Sequence, residues 1–275
     1  MKDKLEAYLQ YLRREERSRA TRQQYRRDIL RFLAFLGESQ LTKEQVIEYK
    51  ERLQRVYQPA SVNAKLVAVN GFLTFLGQPQ LRVRQLKIQK KPYCPQEKEL
   101  SREEYRRLVT AAQKKGDERL ALLVQTICAT GIRVSELRFI TAEAVAEGEA
   151  EICLKGKSRT VLIGGRLRKA LKGYLRRRGI FAGPVFLTRS GRPLDRTQVW
   201  KMMKALCKSA GVGQKKVFPH NLRHLFARCF YAIHKDIARL ADVLGHSSLN
   251  TTRIYLVSVG EEHRKQIDAL RLVLT

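Results

Sequence analysis

No stretch of the 275 residues approaches the roughly 18 consecutive apolar positions of a membrane span. The amino terminus, MKDKLEAYLQYL, is amphipathic and has no apolar block of the secretory kind. These absences predict a soluble, cytoplasmic chain. The five cysteines (Cys94, Cys128, Cys153, Cys207, Cys229) are odd in number and include no C-x-x-C pair. A disulfide framework is therefore not expected, and they read as reduced core thiols. No H-x-H, H-E-x-x-H or D-x-D set occurs, and the alternating Glu147, Glu149 and Glu151 suit a solvated strand edge, so no metal is expected. The phosphate-cradling pattern G-x-x-x-x-G-K-[ST] is missing too, which removes a nucleotide as an expected cofactor. There is no internal repeat.

Acidic residues are scarce: 26 Asp and Glu stand against 55 Lys and Arg, a formal net charge of +29. That exceeds what solubility requires and points to a polyanionic partner. The excess is spread along the chain, with 20 basic and 9 acidic side chains in residues 1–95 and 35 and 17 in the remainder. Interleaving with apolar residues at helical spacing places the charge on folded surfaces rather than in a tail. Hydrophobic residues, at 44%, suffice for a core.

At this length two domains are the first expectation. Residues 1–77 read as four amphipathic helices that make a small bundle. Leu5, Tyr8, Leu9 and Leu12 line the first. Tyr25, Ile29, Phe32, Leu33 and Leu36 line the second, before Gly37. The third starts at the cap Thr42 and carries Val46, Tyr49 and Leu53; the fourth runs from Ser61 to Gly77 through Val62, Leu66, Val69 and Phe72. Residues 78–100 hold three prolines, no clear period and the basic group Arg82, Arg84, Lys87, Lys90 and Lys91, which reads as a basic linker, either one that crosses phosphates or a solvated connector. From Ser101, whose Ser-x-x-Glu104 forms a capping box, a second and mostly helical domain extends to residue 275. Helices are expected over 118–129, 165–178, 195–210, 220–233, 236–244, 250–257 and 261–273. One hairpin is expected, pairing 151–154 with 160–163 across a turn from Lys155 to Arg159. The fold class is thus mainly α, with a small β-hairpin in the second domain.

Three segments carry the chemistry: ATGIRVSEL (129–137), HNLRHLFA (220–227) and LGHSSLNTTRIY (244–255). Two arginines offer planar donor forks that match the non-bridging oxygens of a phosphate. His220 and Arg223, three apart on a helix, project from one face. A phenol becomes a useful nucleophile where nearby cations favour its phenolate, and Tyr255 alone ends a T-T-x-I-Y segment after L-G-H. His224, His234 and His263 lack partners at ligand spacing and read as structural or surface residues.

In these motifs, their order and their spacing the chain resembles the tyrosine recombinases, the lambda-integrase-like and Xer-like site-specific DNA recombinases, over its whole length. The resemblance implies a core-binding domain at 1–77 and a catalytic domain at 101–275. Arg133 and Arg223 match the family's two arginines, with Glu136 orienting Arg133. His220 matches the histidine that assists proton transfer, His246 the donor to a non-bridging oxygen, and Tyr255 the nucleophile. Lys155 matches the lysine that protonates the departing 5′ oxygen. Leu154-Lys155-Gly156-Lys157 departs from the family's G-K-G-x-K pattern, so Lys157 competes with it for that role.

The resemblance further implies a 3′-phosphotyrosyl intermediate, a double-stranded DNA partner with inverted half-sites, and a tetramer acting through a Holliday junction without metal or cofactor. Ile267, Leu270, Leu272 and Val273 would lie on a last helix suited to docking into a neighbouring subunit or onto its own chain. The bundle at the start leaves no room for an arm-binding domain, and the gap between His220 and His246 leaves little for an insertion. Both features tilt the expectation toward a Xer-like or small mobile-element recombinase. Two alternatives remain: a type IB topoisomerase, and a DNA-binding protein of the same fold without catalysis.

Overall fold

A computed structural model describes residues 1–88, 98–154, 156–253 and 255, apart from the side chains of Lys2 and Lys157. The chain divides into two compact units, Met1–Lys90 and Lys91–Thr275. No helix among the described residues is long and apolar enough to cross a membrane.

The first unit contains the four expected helices: α1 (Lys2–Arg14), α2 (Arg19–Leu36), α3 (Lys43–Val56) and α4 (Pro59–Phe75). Ser18 caps α2 and Thr42 caps α3, each accepting a backbone N–H from the first turn. Helix α4 starts two residues before the expected Ser61 because Pro59, with no N–H to satisfy, fits the first helical position. It packs against α1, α2 and α3, and Val62, Leu66, Val69, Phe72 and Leu73 are all buried on it. Burying such side chains contributes about 1.5–3 kcal/mol each. One ion pair sits inside the bundle, where Lys65 Nζ lies 2.9 Å from Asp28 Oδ1.

Residues 79–88 are not a free connector. On α4, the side-chain amide of Asn70 exchanges two hydrogen bonds with the backbone of Val83 (2.8 and 3.0 Å), and that of Asn63 does the same with Leu86 (2.9 and 2.8 Å). Lys43 adds contacts to the carbonyls of Gln80 and Arg82. Two amides seven residues apart on one helix therefore hold an extended segment whose Arg82, Arg84 and Lys87 are exposed. Val83 is also buried in the bundle core, with Leu81 and Leu86 packed against it.

In the second unit α5 (Arg102–Lys114), opened by the predicted capping box at Ser101, packs on α6 (Glu118–Thr130). Gly131 ends α6 with φ +64°, and a 3-10 turn follows over Val134–Phe139. Next come α7 (Ala142–Glu147) and the antiparallel hairpin β1 (Glu149–Leu154) and β2 (Lys157–Leu162). The pairing Leu154↔Lys157 leaves a two-residue connection, Lys155-Gly156, tighter than the expected five. Gly156, at φ +71°, supplies the positive φ that such turns demand. As a result Ser158 and Arg159 lie on β2, opposite Cys153 and Ile152. Cys153 occupies an outward strand position and is exposed, which corrects the expectation of a core thiol there. Cys207 is buried, Cys128 and Cys229 are half-buried, and Cys94 lies outside the described residues.

The remaining helices are α8 (Gly165–Arg178), α9 (Arg196–Lys204), α10 (Cys207–Ala210), α11 (Pro219–His234), α12 (Ile237–Leu244) and α13 (Leu249–Arg253). The single helix expected over 195–210 is broken between α9 and α10, and Met203, Leu206 and Cys207 on either side of the break all reach the core. Of the helix expected over 250–257, the described part runs through Arg253, and residues 254, 256 and 257 lie outside the described residues. The helix expected over 261–273 lies outside the described residues. α11 packs along α6, which brings the HNLRHLFA segment to the start of ATGIRVSEL, where Arg223 reaches the Gly131 carbonyl.

Candidate active site

Arg223 is the largest fully buried side chain among the described residues. A buried cation needs dense compensation, and four of its five N–H donors are taken. Nη1 donates to the carbonyl of Gly131 at 2.5 Å, and Nη2 to the carbonyl of Leu244 at 2.8 Å. These carbonyls end α6 and α12, so the negative ends of two helices converge on the guanidinium. Nη2 also reaches His246 Nε2 at 2.8 Å, and Nε donates to the Tyr255 hydroxyl at 3.3 Å. The sequence suggests an open fork. The geometry shows an anchored one: an anion that reaches Arg223 can use the remaining Nη1 N–H, and a second contact must take over a donor now held by Tyr255 or His246.

Tyr255, itself buried, is packed by three imidazoles. Its ring centroid lies 4.3 Å from that of His224, 5.3 Å from His246 and 5.5 Å from His220. His220, Arg223 and His224 share one face of α11 at positions i, i+3 and i+4, which makes this possible. His246 follows Gly245, whose φ of +66° ends α12 and turns the chain back over the site. His246 Nε2 faces a group that can only donate, so the proton belongs on Nδ1, which lies 2.9 Å from the buried Thr252 Oγ1. Burial, and then the Arg223 charge, push the His246 pKa down to about 4. Burial and then His220 push His224 to about 4 as well, and burial followed by Arg223 lowers His220. At neutral pH the three rings around Tyr255 are uncharged.

Arg133 follows Gly131 and is held by Glu136 within the same 3-10 turn. Glu136 Oε1 accepts from Arg133 Nη1 at 2.9 Å, and Oε2 accepts the Arg133 backbone N–H at 2.7 Å. Arg159 of β2 donates to the same Oε2 at 2.8 Å. Burial alone would raise the Glu136 carboxyl, but the Arg133 N–H, the Arg159 charge and the two guanidinium hydrogen bonds hold it below the ordinary value. The Arg133 side chain is 42% exposed. With Ser135, Arg159, His246 and Ser247 it lines a cavity of about 940 Å³.

Of the six residues expected from the sequence, the structure brings His220, Arg223, His246 and Tyr255 into one cluster and sets Arg133 on the cavity that His246 also lines. Lys155 lies outside the described residues; Lys157 is on β2, with its side chain outside them. Three further participants go beyond the sequence reading. His224, which lacks a ligand partner and reads from sequence as structural or surface, packs on Tyr255; its position four after His220 is the signal that puts it on the same helix face. Thr252 and Arg159 have no local signal, since their partners come from elsewhere in the chain. Among the described residues no three His, Cys, Asp or Glu side chains gather as a metal site.

Residues 98–261 match the model of the phage integrase family, and residues 5–80 match that of the phage integrase N-terminal SAM-like domain. The chain is 31% identical over 271 residues to tyrosine recombinase XerA of Pyrococcus furiosus, covering 95% of this chain and 91% of that protein. Its fold is similar to the XerH site-specific recombinase bound to its difH substrate (TM-score 0.71, 21% identity, 97% of this chain and 84% of that one). It is also similar to a lambda integrase tetramer bound to a Holliday junction (TM-score 0.74, 16% identity, 92% and 76%).

Proposed function

This chain belongs to the phage integrase family and is a site-specific tyrosine recombinase, a DNA strand-transferring enzyme; from that premise we propose that Tyr255 is its nucleophile and that the residues gathered around it carry the reaction. The Tyr255 oxygen attacks a scissile phosphorus, the bond from phosphorus to the 5′ oxygen breaks, and a 3′-phosphotyrosyl ester forms. Arg133 and Arg223 neutralise the charge that builds on the non-bridging oxygens of the pentacoordinate phosphorus. His246 donates to one of those oxygens once the phosphate takes over Arg223 Nη2 and the imidazole proton moves from Nδ1 to Nε2, with Thr252 Oγ1 then donating to Nδ1. His220 assists the proton that leaves the phenol. Lys155, with Lys157 as its competitor, gives a proton to the departing 5′ oxygen. Attack by the 5′ hydroxyl of an exchanged strand reverses these steps. One ester replaces another of similar energy, so no nucleotide is consumed.

The observation that carries this reading is the hydrogen bond from the buried Arg223 Nε to the Tyr255 hydroxyl, on a guanidinium that also holds His246. Phosphate recognition and nucleophile meet on one cation. Residues 1–77 serve as the core-binding domain, 78–100 as a basic connection and 101–275 as the catalytic domain. The matched family models and the distribution of basic residues support that division. The partner is double-stranded DNA with inverted half-sites, and four copies act together on a Holliday junction, as in the lambda integrase complex. The last helix would dock on a neighbour. An enzyme of this kind works where the DNA is, which makes the cytoplasm its compartment.

The test is a nicked duplex from which the short 5′ fragment escapes after cleavage. Wild-type protein is expected to leave a denaturant-resistant adduct, and Tyr255→Phe none. Adduct without strand exchange would favour a topoisomerase, and no adduct would favour a binder without catalysis.

A further inference from the structure

We propose that Arg159 is a positioning residue of this active site: it shares Glu136 with Arg133, and so fixes how Arg133 presents its guanidinium to the scissile phosphate. The proposal deepens the strand-transfer reading and rests on it.

Glu136 is 3% exposed at its side chain and lies between two arginines. One carboxylate oxygen serves Arg133 Nη1; the other serves Arg159 Nη2 and the backbone N–H of Arg133. The remaining arm of Arg159 donates to the carbonyl of Val243, near the end of α12, at 2.7 Å. One guanidinium thus ties the hairpin to the Arg133 turn and to the helix end that precedes His246.

The fold makes room for this fork. A Cβ at Gly245 would stand 2.2 Å from Arg159 Cδ, so any other residue there would have to displace the Arg159 side chain. Arg159 Nε is buried with no hydrogen-bond partner among the described residues, so the side chain keeps its place for the two contacts its outer nitrogens make. Arg133 and Arg159 line the same cavity as His246.

Charge explains the consequence. Two guanidinium groups on one carboxylate leave a net positive charge, and Glu136, with Oε2 occupied, holds Arg133 by one side-chain contact. Without Arg159 the pair is neutral, and Glu136 can draw Arg133 into a two-pronged contact that turns its donors away from the cavity. A lysine at this position keeps the charge but cannot serve Glu136 and Val243 from one rigid fork.

The experiment compares wild type, Arg159→Lys, Arg159→Ala and Arg133→Ala on a nicked duplex selected from a random-sequence pool by retention on the full-length protein. A second duplex has a methyl group in place of one non-bridging oxygen at the cleaved phosphate. On the phosphate, both Arg159 variants should form adduct about 10–100-fold more slowly, with the dissociation constant unchanged. On the methylphosphonate, which lacks the charge that Arg133 neutralises, the deficit should shrink to under about threefold, as it should for Arg133→Ala. The ratio of the two rates within one variant is independent of the fraction folded. Wild-type rates on the phosphate, or equal losses on both duplexes, would overturn the proposal. If wild type forms no adduct at all, the strand-transfer reading falls and takes this proposal with it.

Discussion

The Tyr255 hydroxyl accepts a hydrogen bond from Arg223 Nε of its own chain at 3.3 Å, and the guanidinium carbon stands 5.7 Å from the centre of the Tyr255 ring. Tyrosine and arginine are therefore held together before any DNA arrives. Tyr255→Phe removes an acceptor from a fully buried cation, and leaving such a donor unpaired costs about 1–3 kcal/mol. Urea denaturation should show that loss in the second unit. An unchanged midpoint would mean that the hydroxyl is not held by Arg223 in solution.

The histidines make stability depend on pH in a stated direction. His224 and His246 have pKa values lowered from 6.5 to about 4, so the unfolded chain binds more protons than the folded one in that interval. Stability is then fully present above about pH 6.5, declines as pH falls toward about 4, and loses nothing further from these groups below that. Urea midpoints taken between pH 7 and pH 5, where carboxylates titrate little, should fall with acid. His224→Phe, which keeps an aromatic ring against Tyr255, should flatten the slope. A flat wild-type profile would contradict the burial of these rings.

Gly131 combines a left-handed backbone, φ +64°, with close packing: a Cβ there would meet Phe226 Cδ1 at 2.4 Å. Gly131→Ala should cost about 1–2 kcal/mol for the conformation and about 1–3 kcal/mol for the overlap. Because the Gly131 carbonyl also anchors Arg223, adduct formation should slow along with the drop in melting temperature. A variant with normal stability and normal rate would show that this turn does not set the position of Arg223.

The strapped segment over 79–88 predicts a salt effect. Arg82, Arg84 and Lys87 are exposed on a backbone held by Asn63 and Asn70. Replacing the three by alanine should weaken duplex binding and reduce the slope of log K against log salt by about 0.9 for each phosphate that is no longer neutralised. Asn63→Ala with Asn70→Ala should weaken binding with those charges still present, since the segment must then be ordered on binding. An unaltered slope in the triple variant would remove this face from the DNA interface.

Much of the site is legible in the sequence because its chemistry sits in three short segments. Each places its residues by local geometry: a glycine-ended helix before Arg133, a helix face for His220 and Arg223, a turn before His246. The helices of the first unit are equally readable, since Leu5, Tyr8 and Leu12, or Val46, Tyr49 and Leu53, keep one apolar face. Arg159 is not readable. Its place on β2 depends on whether the hairpin turn holds two residues or five, and its partners Glu136 and Val243 lie 23 and 84 positions away. The strap is hidden for a related reason: the amides of Asn63 and Asn70 that fix its backbone lie on α4, far from it in sequence, while its own Leu81, Val83 and Leu86 pack on the bundle without a helical period.

The central claim is that Tyr255 becomes covalently joined to DNA. The most direct measurement is to trap the adduct on a nicked duplex, digest it with nuclease and trypsin, and weigh the fragment spanning residues 254–264, which holds Tyr255 and no other tyrosine. The account predicts that this fragment carries a nucleotide joined through its 3′ phosphate. A nucleotide found on any other fragment, or an adduct that persists in Tyr255→Phe, would contradict it.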